Sequence, residues 1–194
     1  MEIEIQKLRS WLEENGADLK SVGVKDFGFP TGRGLCANRD IQKDELFITI
    51  PYKCQINRFN LKEIWPEVTI PSFNEGDVDR DNLNAITYLY LAVNKTNPNC
   101  FHYPYINILP ESYDCPLGYS TEVIETLKGT KLYATVEKIK TFMKKLVQYY
   151  NETLIKSFPQ YFQPIDDLYE RLLWAHQSFW SRAFSVFSAC IPSE

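Results

Sequence analysis

The chain has little of what several large functional classes require. Histidine is scarce, at two positions (His102, His176) in 194 residues. The five cysteines (Cys36, Cys54, Cys100, Cys115, Cys190) are scattered, odd in number and never arranged as Cys-x-x-Cys. That spacing provides neither a zinc cluster nor a disulfide framework, so no metal is expected. No lysine- or arginine-rich block occurs, and the formal charge is −4 with a pI near 5.3. A nucleic-acid surface that works by counterion release needs the opposite balance, so direct nucleic-acid binding is not expected. No apolar run approaches the roughly 20 residues that span a bilayer, which argues against a membrane partner. Met1 is followed at once by charged, helix-like sequence rather than an apolar leader, which predicts a cytoplasmic or nuclear setting.

Large side chains are plentiful. Twelve Tyr, twelve Phe and four Trp are enough to fill a sizeable core, and the length suits one large domain or two small ones. Along the chain, residues 2–15 carry Ile5, Leu8 and Leu12 at helical spacing, and Gly16 stands where a helix would end. This helix is expected to pack as a lid on the domain C-terminal to it. Residues 21–27 alternate loosely as a first strand. Residues 61–65 form a short helix stopped by Pro66, and residues 67–81, with Asp77, Asp79 and Asp81, read as a solvated loop. From Asn82 the period becomes helical, with Leu83, Ile86, Leu89, Tyr90 and Val93 on one buried face. A proline-punctuated apolar loop comes next, at 101–117. A short helix over 121–127 is broken by Gly129. A longer one carries Leu132, Val136, Ile139, Met143, Leu146, Tyr150 and Thr153 as a stripe, with its lysines on a solvated face. The last helix starts at Asp166 or Asp167 and runs through Leu168, Leu172, Ala175, Phe179 and Ala183. His102 and His176 read as core or partly exposed histidines.

The most distinctive stretch is 27–51. Three glycines (Gly28, Gly32, Gly34) and Pro30 mark a sharp turn, followed by two apolar runs, 35–37 and 46–50, around a polar connector. Those runs are expected to pair as a hairpin, ended by Pro51, which has no N–H to donate. Spacing alone leaves a plain surface hairpin and a ligand-approaching backbone both open.

Three ordered motifs extend the reading. The first is Gly32-Arg33-Gly34-Leu35, Ala37-Asn38-Arg39-Asp40-Ile41, Glu45-Leu46-Phe47 and Pro51. The second is Tyr105-Ile106 through Leu109-Pro110, then Tyr113 and Pro116-Leu117. The third is Trp174-Ala175 followed by Ser181-Arg182-Ala183-Phe184. Together they resemble SET-domain protein methyltransferases of the Rubisco large-subunit methyltransferase-like branch. The resemblance implies an α+β fold: a β-rich SET segment with its N-terminal helix over 1–56, then a mostly helical insertion over 57–194. It implies S-adenosyl-L-methionine as cofactor and a protein lysine side chain as methyl acceptor. Cofactor-binding roles fall to Arg33, Gly34, Glu45, Leu46, Phe47 and Arg182, the last toward the methionine carboxylate, for which a guanidinium's planar fork is suited. No residue is assigned as catalytic. The family's Asn-His motif and channel tyrosine have no counterpart here, and Val186 stands where plant members place a second arginine. The chain is therefore expected to be a truncated form or isoform, inactive alone. A catalytically inactive interaction protein and a protein-histidine methyltransferase are the alternatives.

Overall fold

The computed structural model describes residues 2–28, 32–73 and 80–184; Pro30, Asp77, Asp79, Val186 and Cys190 lie outside them. The elements are α1 (Glu2–Glu14), β1 (Val22–Asp26), β2 (Arg33–Ala37), α2 (Arg58–Ile64), α3 (Arg80–Asn94), α4 (Tyr103–Ile106), α5 (Thr121–Glu125), α6 (Lys131–Tyr149), α7 (Ile155–Ser157) and α8 (Leu168–Arg182). The α+β class holds, with helix dominant.

Local chemistry explains most boundaries. Gly16 leaves α1 at φ +98° and Gly129 precedes α6 at φ +87°, conformations that side chains with a Cβ rarely adopt. Asn57 caps α2 by accepting from the N–H groups of Phe59 and Asn60, while Asn60 Oδ1 accepts from Asn57 N–H at 3.1 Å. Thr130 Oγ1 accepts from Tyr133 N–H at 3.2 Å to start α6. The stripe of α6 continues past Tyr149 through a π-helical turn, Tyr150–Leu154. Of the expected stripe, Val136, Met143, Leu146 and Tyr150 are buried, joined by Phe142 and Leu154, whereas Leu132 at the helix start is 45% exposed and Ile139 and Thr153 are only partly buried.

The core lies among α2, α3, α6 and α8. Trp65 meets Tyr90 at 5.3 Å and Phe162 at 4.9 Å, and Phe162 meets Tyr150 at 5.5 Å, all edge to face. The Tyr150 hydroxyl donates to the Gln163 carbonyl at 2.7 Å, and burial raises its pKa to about 12. α8 is keyed to α3 by a polar set at their seam, partly buried and centred on the buried Tyr88 and His176. Tyr88 donates to Asp81 at 2.9 Å, Trp180 Nε1–H donates to the Tyr88 hydroxyl at 2.9 Å, and His176 Nε2 lies 3.3 Å from Asp81. These contacts fix the rotation of α8, and so the direction of its last turn.

Several expectations are corrected. The apolar run 46–50 does not pair with 35–37. Instead β1 takes β2 in antiparallel register, from Val22 opposite Ala37 to Asp26 opposite Arg33. The glycine turn makes this the shorter loop to close: Gly28 and Gly32 sit at φ +73° and +67°, and Gly32 N–H donates to the Gly28 carbonyl at 2.7 Å. Beyond β2, Asp44 at φ +63° turns the chain away, and only Thr49 makes a bridge, to Asp18. Leu83 is 42% exposed, not on the buried face. Val68 is buried inside the stretch read as a solvated loop, and α4 forms a helical turn within the proline-rich loop. His102 and His176 are both buried, in keeping with the core reading of them.

Candidate functional site

Arg33 opens β2 opposite Asp26, with its side chain in solvent. Gly34 pairs with Lys25, and a Cβ there would come within 3.3 Å of the Phe27 ring, so glycine lets that ring cover the strand. Glu45 is held by its side chain. Its Oε1 takes Arg39, and its Oε2 accepts from Gln42 N–H at 2.9 Å. The hydrogen bond from Arg39, followed by that from Gln42, holds the Glu45 carboxyl below the usual carboxylate range. Arg39 also donates to Ser21 Oγ at 2.7 Å and to the Asp40 carbonyl at 2.9 Å, closing the 39–45 turn. The sequence places Arg39 within a motif but gives it no role; this clamp is its role.

With the Glu45 carboxylate engaged, that segment offers its backbone. Glu45, Leu46 and Phe47, expected as a strand, are irregular and belong to no strand. Among the described residues, the main-chain groups of Leu46 and Phe47 make no hydrogen bond. Leu46 is 81% exposed and Phe47 43%, and Val24, Phe27 and Leu35 are also open to solvent. An unpaired backbone edge beside apolar side chains suits a planar, hydrogen-bonding group.

Arg182 occupies the last turn of α8 and is exposed. Its guanidinium lies over the Tyr113 ring, 5.6 Å from the centroid, and donates to Ser181 Oγ at 2.9 Å. Ser181 in turn donates to the Ser178 carbonyl at 3.1 Å. Among the described residues Arg182 has no carboxylate partner, so most of its donors face outward. The Tyr105 phenol lies nearby: burial pushes its pKa up, and the positive charge of Arg182 draws it partly back. α8 and the proline-rich loop are joined again by Trp174 Nε1–H, which donates to the Pro110 carbonyl at 2.7 Å, and Lys95 Nζ sits 4.6 Å above the Trp174 ring.

The second and third motifs thus meet in space. Among the described residues no hydrogen bond, ion pair or ring contact joins Arg182 to Arg33, Gly34, Glu45, Leu46 or Phe47. Tyr113 as the partner of Arg182 is not legible in the sequence, because a cation–π pair between remote positions leaves no periodic signal. Among the described residues no cluster of three or more metal-ligating side chains occurs, and no helix is long and apolar enough to cross a membrane.

No family model matches the chain. Its course nevertheless superposes on the SET domain of LSMT bound to lysine and AdoHcy, with a TM-score of 0.73 and 21% identity, over 95% of this chain and 40% of that one. Rubisco LSMT bound to AdoMet gives a TM-score of 0.71 and 20% identity, over 94% of this chain and 41% of that one. Over that coverage the chain has a SET-domain fold. Among curated proteins, it is 29% identical over 182 residues to the actin-histidine N-methyltransferases of Homo sapiens and Rattus norvegicus. That match takes in 90% of this chain and 29% of theirs, so the chain spans under a third of the relatives' length.

Proposed function

We propose that this chain forms part of an S-adenosylmethionine-dependent protein methyltransferase, with a protein lysine side chain as acceptor. The observation that carries the reading is Arg182: an outward-facing guanidinium without a carboxylate partner among the described residues, held over Tyr113 at the end of a keyed helix. Such a group fits an α-carboxylate. The unpaired main chain of Leu46 and Phe47 fits an adenosine edge, with Phe47 as apolar cover and the glycine turn around Arg33 and Gly34 as the adjoining wall. The cofactor, when bound, supplies a methyl group on a sulfonium, which a neutral amine takes by in-line displacement as sulfur keeps the bonding pair. The chain's own residues contribute binding and orientation. The exposed apolar side chains of the 24–47 region contribute the water-poor surroundings in which a lysine loses its proton more readily.

Solved structures with this fold are bound to lysine, monomethyllysine, AdoMet and sinefungin, which supports the cofactor and the lysine acceptor. A second reading, histidine as acceptor, draws on the 29% identity to actin-histidine N-methyltransferases. One experiment separates them. The whole protein is incubated with methyl-labelled cofactor and cell proteins, and the products are hydrolysed. Labelled Nε-methyllysine is expected, labelled methylhistidine supports the second reading, and cofactor binding without transfer points to an interaction protein. Calorimetry on Arg182→Ala tests the cofactor contact itself. Loss of a charge-assisted contact should cost about 1.5–3 kcal/mol, and an unchanged Kd removes Arg182 from the site.

A further inference from the structure

Arg182 is an exposed, long side chain, and such a group ordinarily samples many rotamers, losing affinity for whatever it grips. Here two neighbours restrain it. Below the guanidinium lies the Tyr113 ring, 5.6 Å to the centroid. Beside it is the Ser181 hydroxyl at 2.9 Å, itself tied to the Ser178 carbonyl. The polarity is consistent throughout, because Ser181 accepts from Arg182 and donates its single proton to Ser178. Tyr113 is in turn placed by the loop whose Pro110 carbonyl receives Trp174 of α8. The Tyr113 hydroxyl is shut off from solvent and lacks a hydrogen-bond partner among the described residues. Its ring, then, is what this residue contributes at the site.

We propose that Tyr113 is a positioning residue for anion recognition: its ring face, with Ser181, pre-sets the Arg182 guanidinium to grip the carboxylate of the amino-acid part of the cofactor. The proposal rests on the cofactor reading above and adds a residue on a different element. It gives a physical reason why a Tyr in the proline-rich loop and an Arg at the end of α8 belong to one site. A cation held on a ring face keeps its charge and its edge donors available, whereas a carboxylate partner would use them up.

The test uses the whole protein and two probes that differ only in the anion-bearing part: S-adenosylhomocysteine, which has the carboxylate, and 5′-methylthioadenosine, which lacks it. Tyr113→Phe keeps the ring and removes the orphaned hydroxyl; its binding of both probes should match the parent protein. Tyr113→Leu removes the ring, and should weaken S-adenosylhomocysteine by about threefold to tenfold, the range of a cation–π contact, while leaving methylthioadenosine unchanged. In the Arg182→Ala background, Tyr113→Leu should then have no further effect. Loss of both probes alike in Tyr113→Leu would mean a general structural role and overturn the inference, as would full retention of both. If Arg182→Ala removes the preference for the carboxylate probe but Tyr113→Leu does not, the cofactor reading stands and this inference falls. If Arg182→Ala leaves that preference intact, both fall.

Discussion

At the scale of single residues, the most constrained polar group is His102. Its Nε2 lies 3.0 Å from the Lys53 carbonyl, which only accepts, so Nε2 carries the proton and Nδ1 is the acceptor. The Tyr90 hydroxyl, 2.8 Å away, must then donate to Nδ1, and its oxygen is left to accept from the Cys100 thiol at 3.1 Å. Thiol, phenol and imidazole form one chain with a single direction. Rings of Trp11 and Phe101 flank the imidazole at 6.0 and 5.0 Å, and among the described residues no carboxylate pairs with it. Burial depresses the His102 pKa, opposed by the backbone carbonyls of Lys53 and Gln55. A depressed histidine contributes stability that is fully present above the unfolded-state value, about 6.5. It is lost as pH falls below that value, until the folded form also protonates. Unfolding midpoints in urea should therefore drop between about pH 7.5 and about pH 5. His102→Gln should flatten that part of the profile while lowering stability throughout. A profile that His102→Gln leaves unchanged would mean that other groups set the acid sensitivity.

At the scale of elements, two substitutions distinguish a structural end from an open edge. Asn57→Ala removes the acceptor for two N–H groups at the start of α2, those of Phe59 and of the buried Asn60. It should cost about 1 kcal/mol, and up to about 2, in chemical denaturation. Leu46→Lys, at a side chain 81% exposed, should change stability by no more than about 0.5 kcal/mol. A large loss from Leu46→Lys would mean that Leu46 is covered in solution. The helices are legible because their signals are local: Gly16 and Gly129 as stops, Asp167 at the start of α8, and stripes of three and four along α3 and α6. The hairpin is not, because strand pairing joins residues that are remote in the chain. Two apolar runs compete for one partner, and the tight glycine turn decides for β1.

At the scale of the whole molecule, the buried aromatic core lies among the helices, and the 22–47 region presents Val24, Phe27, Leu35, Leu46 and Phe47 to solvent. Opening free energy tracks buried contacts, so amide hydrogen exchange should divide the chain. Slow exchange is expected in α3, α6 and α8, and fast exchange in β1, β2 and residues 45–48. Strong protection of 45–48 in a monomeric sample would contradict the open backbone of Leu46 and Phe47.

The sequence by itself determined what depends on neighbours in the chain: most helix spans and their glycine stops, the glycine turn, the aromatic supply for a core, and the ordered motifs that pointed to a SET-type fold. It also singled out Arg182, through the resemblance of Ser181-Arg182-Ala183-Phe184 to a SET-family motif. Only the tertiary structure decided how remote groups combine. It chose β1 over residues 46–50 as the partner of β2, drew the Glu45 side chain onto Arg39, oriented the Cys100–Tyr90–His102 chain, and laid Arg182 over Tyr113. Each of these contacts joins segments whose spacing carries no periodic trace. Their geometry follows from which faces the helical core buries, and that balance belongs to the folded chain as a whole.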